Sequence, residues 1–116
     1  MKNERETLRR WERIKKEREF DEVFKTGKFY SGSLVSLVYR THSGRRVGFA
    51  VGKGIKGAVI RNRLKRLLRE IYRKKKEELK MDVEIILIAR ESAVGKGYQE
   101  LKKDLEALFL RAGILK

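Results

Sequence analysis

The sequence predicts an α+β fold, a two-layer α/β sandwich in which helices pack on a small mixed sheet. Three observations lead there. Two β-rich runs, Ser33–Arg40 (SLVSLVYR) and Arg46–Val51 (RVGFAV), are separated only by turn residues. A long amphipathic basic segment separates the second run from a third, Asp82–Ala89 (DVEIILIA), and so makes a βαβ unit. Segments of helical spacing lie at both ends. The element order is αβββαβα if a short strand is split off near the first hairpin, and αββαβα if it is not.

The chain reads as a single domain over 1–116, with a basic N-terminal arm over 1–16. Leu8, Trp11 and Ile14 recur at i, i+3, i+6, so the arm is either helical or loose until it meets a partner. Phe20, Val23 and Phe24 predict a short helix over 17–26 that Gly27 stops. The run 33–40 is a strand. Thr41, His42, Ser43 and Gly44 are turn chemistry, which makes 46–51 the hairpin partner of that strand. Gly52–Gly57 (GKGIKG) is a glycine-rich loop, and a helix follows over 58–79. Ile60, Leu64, Leu67, Leu68 and Ile71 fall in one arc of it, Lys65, Arg66, Arg69 and Arg73 on the opposite face, and Arg61 and Arg63 on the two flanks. The run 82–89 is apolar almost throughout, as expected of a central buried strand. Tyr98, Leu101, Leu105, Leu108 and Phe109 form a last amphipathic helix that Gly113 ends.

Charge narrows the function. Lys and Arg number 31 against 16 Asp and Glu, a net charge of +15. Between residues 43 and 76 there are thirteen basic residues and one acid, Glu70. A surface rich in charge of both signs does not explain such an excess of one sign, whereas a polyanionic partner neutralises it. With no cysteine, disulfides and thiolate zinc sites are excluded. No stretch of about 18 apolar residues is present to span a membrane. Residues 1–18 lack the apolar run of a signal peptide, so a cytoplasmic location is expected.

Candidates for catalysis are few. His42, the one histidine, sits in a turn and reads as solvated. Asp82 and Glu84 alternate on a strand, with one or both facing solvent. No carboxylate cluster suited to Mg²⁺ beside a cationic groove can be assembled, and catalysis by the protein alone is not expected. GKGIKG departs from the phosphate-binding loop of nucleotidases, because Ala58 and Val59 follow it. Lys53 and Lys56 at a helix N-terminus nevertheless suit RNA phosphates. In Arg61-Asn62-Arg63 and the basic helix after it, few acids are interspersed to pair with the cations. Arginine forks fit phosphate, and the amide of Asn62 fits a base or ribose edge.

VGFAVGKGIKGAVIRNRLKRLLREIYR, with REFDEVFKTGK upstream and DVEIILIARESA downstream, resembles the bacterial ribonuclease P protein family from about Arg18 to Leu110. A strand, a lysine-bearing glycine loop and Arg-Asn-Arg on a basic helix, in that order, make a specific signature. The resemblance implies a left-handed βαβ crossover, against the general right-handed rule. It implies a non-catalytic subunit of an endoribonuclease whose RNA subunit, ribonuclease P RNA, carries the active site and its Mg²⁺. The protein would grip that RNA and the 5′ leader of precursor tRNA. Arg61, Asn62, Arg63, Lys65, Arg66 and Arg69 match the family's basic motif beside the catalytic RNA, and Lys53 and Lys56 extend it. Phe20 and Phe24 match aromatics of the leader cleft, although a helix-to-sheet core contact suits them equally well.

Two positions depart from the pattern. Gly54 stands where relatives often carry a second lysine, and Val38 where they can carry a leader-contacting tyrosine. Val35, Leu37 and Tyr39 share one strand face, Leu34, Ser36 and Val38 the other, and either could line the cleft. The rival reading is a ribosomal protein or general RNA chaperone, which predicts the same basic face but no cleavage when ribonuclease P RNA is added. A DNA-binding regulator is weaker, because no second short helix precedes the basic one.

Overall fold

The computed structural model describes residues 10–116. A 3₁₀ turn, Arg10–Glu12, leads into α1 (Glu17–Thr26), β1 (Lys28–Ser31), β2 (Val35–Thr41), β3 (Arg46–Val51), α2 (Ala58–Lys75), β4 (Val83–Ala89) and α3 (Tyr98–Ala112). The order is thus αβββαβα. The split strand is β1, a four-residue strand antiparallel to β2. Helix α2 is shorter than its apolar spacing predicts: it gives way at Lys76–Glu78 to a 3₁₀ turn.

The sheet order is β1-β2-β4-β3. This corrects one expectation, because β2 and β3 are not hairpin partners. Strand β4 lies between them, antiparallel to β2 and parallel to β3. The physical reason is burial. Six of the seven residues of β4 are buried, on both faces. A strand apolar on both sides is most stable with a neighbour on each edge and cover above and below. The turn after β2 therefore crosses two strand spacings, about 10 Å.

Two cores flank the sheet. Val35, Leu37, Val47, Phe49, Val51, Ile85 and Leu87 face α2 and α3 and join Leu64, Leu68, Ile71, Leu101 and Leu105 in the larger. On the other face Val38 and Ile86 meet Val23 of α1 and Ile14 of the arm. The register puts Ser36, Val38 and Arg40 on this second face, the one α1 crosses. Phe20 presses on Gly48, where a Cβ would lie 2.7 Å from the ring; only glycine permits that approach. The arm is not one helical face: Ile14 is buried, whereas Trp11 is 68% exposed. Leu8 lies outside the described residues. The Ile14 N–H donates to the Val47 carbonyl at 2.8 Å, and Arg13 bridges Val47 in parallel, so the arm runs along the open edge of β3.

Polar side chains fix the cover. Glu84 is 1% exposed on the α1 face, where Arg40 reaches it at 2.7 Å and Arg46 at 3.0 Å. Arg46 also binds Glu19 at 2.8 Å, and Arg40 reaches Glu22, so one network ties α1 to three strands. His42 is half-buried rather than solvated, with Nε2 3.6 Å from Glu84; Asp82 is exposed. Buried Lys76 binds Glu12 at 3.0 Å and tethers the arm to the end of α2. On the other face Asp104 of α3 accepts the Ser33, Leu34 and Val35 N–H groups at 3.2, 2.8 and 2.9 Å, and so closes the β1–β2 turn.

Candidate nucleic-acid interface

Helical spacing around Val23 divides α1 into two flanks. Glu19, Glu22 and Thr26 lie on the flank that bonds Arg46 and Arg40. Phe20 and Phe24 lie on the other, above the next row of the sheet: Ser36, Ile88 and Ala50, which stand in register across β2, β4 and β3. Phe20 is half-buried against this floor, and Phe24 is 44% exposed. The two readings of these rings therefore divide: Phe20 is mainly a packing residue and Phe24 mainly a surface one. Phe29 of β1 pairs with Val38 and so shares this face, with 61% of its surface exposed. Sequence pattern alone does not single it out, because β1 is too short to show an alternation.

At its β3 end the floor opens into a cleft of roughly 500 Å³ between the arm and α2. Arg61, Asn62, Lys65 and Arg69 line it with Phe20 and Ala50. Thus one flank of α2, not its outermost face, meets the aromatic groove. Arg13 and Lys15 of the arm complete the lining. The sequence pattern does not place them there, because only the docking of the arm on β3 brings them to α2.

The remaining basic residues separate. Arg66 and Asn62 are exposed. Arg63 turns to the α3 side and donates to the Lys96 carbonyl at 3.1 Å. Arg73, expected on the open face, is 11% exposed and ion-paired with Glu70. Arg61 donates to the Gly52 and Ile55 carbonyls at 3.0 and 2.8 Å, so it clamps the glycine loop as well as lining the cleft. Lys53 and Lys56 project from that loop, both exposed. At Gly54 a Cβ would fall 1.6 Å from Oε1 of Glu91, so a side chain there would displace that exposed carboxylate. Among the described residues, no three His, Cys, Asp or Glu side chains gather into a metal-binding group, and no helix is long and apolar enough to cross a membrane.

A groove with aromatic walls, a small-residue floor and a cationic mouth suits an unpaired nucleic-acid strand. The rings stack on bases, and the cations meet phosphates. A protein-family model described as Ribonuclease P matches residues 8–113. The chain belongs to the ribonuclease P protein family. Ribonuclease P protein components from Clostridium kluyveri and Dictyoglomus turgidum are 37% and 38% identical to it, each over 90% of this chain and 96% and 92% of their own length. Among solved structures, the RNase P protein from Thermotoga maritima is similar with a TM-score of 0.77 and 27% identity, covering 86% of this chain and 96% of that one. A Staphylococcus aureus RNase P protein mutant with defective mRNA degradation activity has a TM-score of 0.82, also at 27% identity, covering 90% and 91%. As a ribonuclease P protein the chain is a subunit of a tRNA-processing endoribonuclease and partners with the RNA subunit of that ribonucleoprotein.

Proposed function

We propose that this ribonuclease P protein divides its RNA contacts between two surfaces. The groove between α1 and the sheet takes the single-stranded 5′ leader of precursor tRNA. The outward side of α2 with the 52–57 loop, carrying Arg66, Arg63, Lys53 and Lys56, meets the RNA subunit. The observation that carries this reading is the continuity of the groove. Phe24 and Phe20 lie on the flank of α1 above the row Ser36, Ile88 and Ala50, and Phe20 and Ala50 also line the cleft that holds Asn62, Lys65 and Arg69. A strand laid along it would place bases on rings and small side chains while its phosphates met cations.

Divalent metal belongs elsewhere in this reading. The cleft lining includes Arg13, Lys15, Arg61, Lys65 and Arg69 and no carboxylate, which does not fit Mg²⁺. The metal for phosphodiester hydrolysis then sits on the RNA subunit.

The test compares cleavage of precursor tRNA by the reconstituted holoenzyme with and without a 5′ leader. Phe24→Ala is the clean probe of the groove, because Phe20 also packs on Gly48. It should weaken binding of leader-bearing substrate and leave leaderless tRNA unchanged. Arg66→Ala should instead weaken assembly with the RNA subunit and flatten its salt dependence by about one unit of slope. Arg61 is a poor choice, since its loss also frees the 52–57 loop. Equal effects of both substitutions on assembly, with no discrimination between the two substrates, would contradict the two-surface reading.

A further inference from the structure

The α1 face of the sheet extends past β2. Ser31 of β1 stands opposite Ser36, so the row Ala50, Ile88, Ser36 continues to the edge strand and crosses all four strands. From Ala50 to Ser31 it covers three strand spacings, about 14 Å, or the length of about four stacked nucleotides. Phe29 stands beside the last stretch, two residues before Ser31 and on the same face. Its cross-strand partner Val38 is 1% exposed in the core under α1, whereas Phe29 is 61% exposed. Cover by α1 therefore ends between β2 and β1, and the Phe29 ring lies open.

An open ring on an edge strand adds little to the core and invites contact with other molecules. Three observations say which occupant suits it. The first is charge. No acidic residue occurs between Glu22 and Glu70, and exposed Lys28 adjoins the ring in the chain. With a net charge of +15 this favours a polyanion and disfavours a second copy of the chain. The second is the edge itself, which is partly closed to strand pairing. Arg111 donates to the Ser31 carbonyl at 3.1 Å, and Arg90 donates to the Gly32 carbonyl and to the Ser31 hydroxyl. The third is a gradient along the face. Phe20 is half-buried, Phe24 is more exposed, and Phe29 is more exposed again. Packing accounts for the first ring and leaves the last one free to stack.

We propose that Phe29 stacks on a nucleobase of the 5′ leader beyond the stretch held beside α1, and so adds a distal subsite to the groove. This rests on the reading of the groove as the leader channel. In that reading the β3 end adjoins α2 and the RNA subunit, so the β1 end receives nucleotides farther from the scissile bond. Stacking accepts any base, and the subsite therefore senses leader length rather than leader sequence.

The reconstituted holoenzyme is assayed for affinity toward precursor tRNAs whose leaders lengthen one nucleotide at a time. Wild type should gain affinity up to the length that reaches β1. Phe29→Ala should lose the last gain, about tenfold, one stacked base's worth, and should match wild type on shorter leaders and on leaderless tRNA. Phe29→Leu, which keeps apolar bulk on the edge strand, should lose the same step, and Phe29→Tyr, which keeps a ring, should retain it. An abasic nucleotide at that step should weaken binding to wild type and leave Phe29→Ala unaffected, as expected when base and ring form one contact. Long leaders bound equally by wild type and by the Ala and Leu variants overturn the subsite. A loss spread evenly over every leader length and leaderless tRNA also overturns it, because the role of Phe29 is then structural. So does self-association of the free wild-type chain that Phe29→Ala abolishes while leader affinity is unchanged, which assigns the edge to a second copy. If Phe24→Ala removes the gain from short leaders while Phe29→Ala changes nothing, the subsite fails and the groove reading stands. If wild type itself gains nothing from a leader, both fall.

Discussion

Glu84→Gln should be among the most damaging single-atom changes in this chain. The carboxylate is 1% exposed and receives Arg40 at 2.7 Å and Arg46 at 3.0 Å. At an effective dielectric of about 20, each contact is worth roughly 5 kcal/mol before desolvation is subtracted. Removing one partner of a buried pair typically costs about 3–5 kcal/mol, because the remaining charge is left uncompensated. Two features lower that figure here. Glutamine keeps one acceptor oxygen, and the arginines, 22–24% exposed, retain Glu19 and Glu22. The expected loss is about 2–3 kcal/mol, a large share of the roughly 5–15 kcal/mol that holds a domain of this kind. At about 4 °C per kcal/mol the melting temperature should fall by about 8–12 °C. Urea unfolding monitored by circular dichroism checks it, with Arg66→Ala, at an exposed position, as the surface control. A Glu84→Gln protein within about 0.5 kcal/mol of wild type would show that the network is dispensable. In that case the ion pairs of Glu84 would not be what holds α1 in place over the groove.

Three further outcomes are expected. Asp104→Ala leaves three backbone N–H groups of the β1–β2 turn without their acceptor and should destabilise by about 2–4 kcal/mol, with faster hydrogen exchange at Ser33, Leu34 and Val35 than at α2. Tyr72→Phe removes a fully buried hydroxyl that has no hydrogen-bond partner among the described residues, a site where burial also pushes the phenol's pKa up; stability should be unchanged or rise by up to about 1 kcal/mol in thermal unfolding. The hydrogen bond from Arg46 holds the Glu19 carboxyl below its ordinary value. A depressed folded value stabilises above the unfolded pKa of about 4.3 and is lost as pH falls through the folded one, so the stability gap between wild type and Glu19→Gln should be constant above about pH 5 and close in acid.

Much of the chain could be read without its fold because the signals were local. The helix over 17–26, the strand over 46–51, the start of α2 at Ala58 and the stop at Gly113 all depend on the spacing of apolar residues and on glycine. These act within one or two turns of chain. The charge excess between 43 and 76 and the motif around Arg61-Asn62-Arg63 are equally properties of contiguous residues. They sufficed for the family and for RNA as the partner class.

What only the tertiary structure decided is everything that depends on two distant segments meeting. Local pattern favours a β2–β3 hairpin, but the cover needed by both faces of β4 places that strand between them. The face of β2 that lines the groove follows from α1 crossing Val38, which alternation along the strand cannot reveal. Glu84 looks like a solvent-facing strand residue until Arg40 and Arg46 converge on it from two other strands. Arg61 reads as a free cation until the loop carbonyls of Gly52 and Ile55 curl back to its fork. Arg13 belongs to no motif at all, and reaches Arg69 only because Ile14 pins the arm along the open edge of β3. Sequence determines which groups are present and what each can bond. The packing of the sheet determines which of them are close enough to do so, and hydrogen bonds and ion pairs act only over a few ångströms.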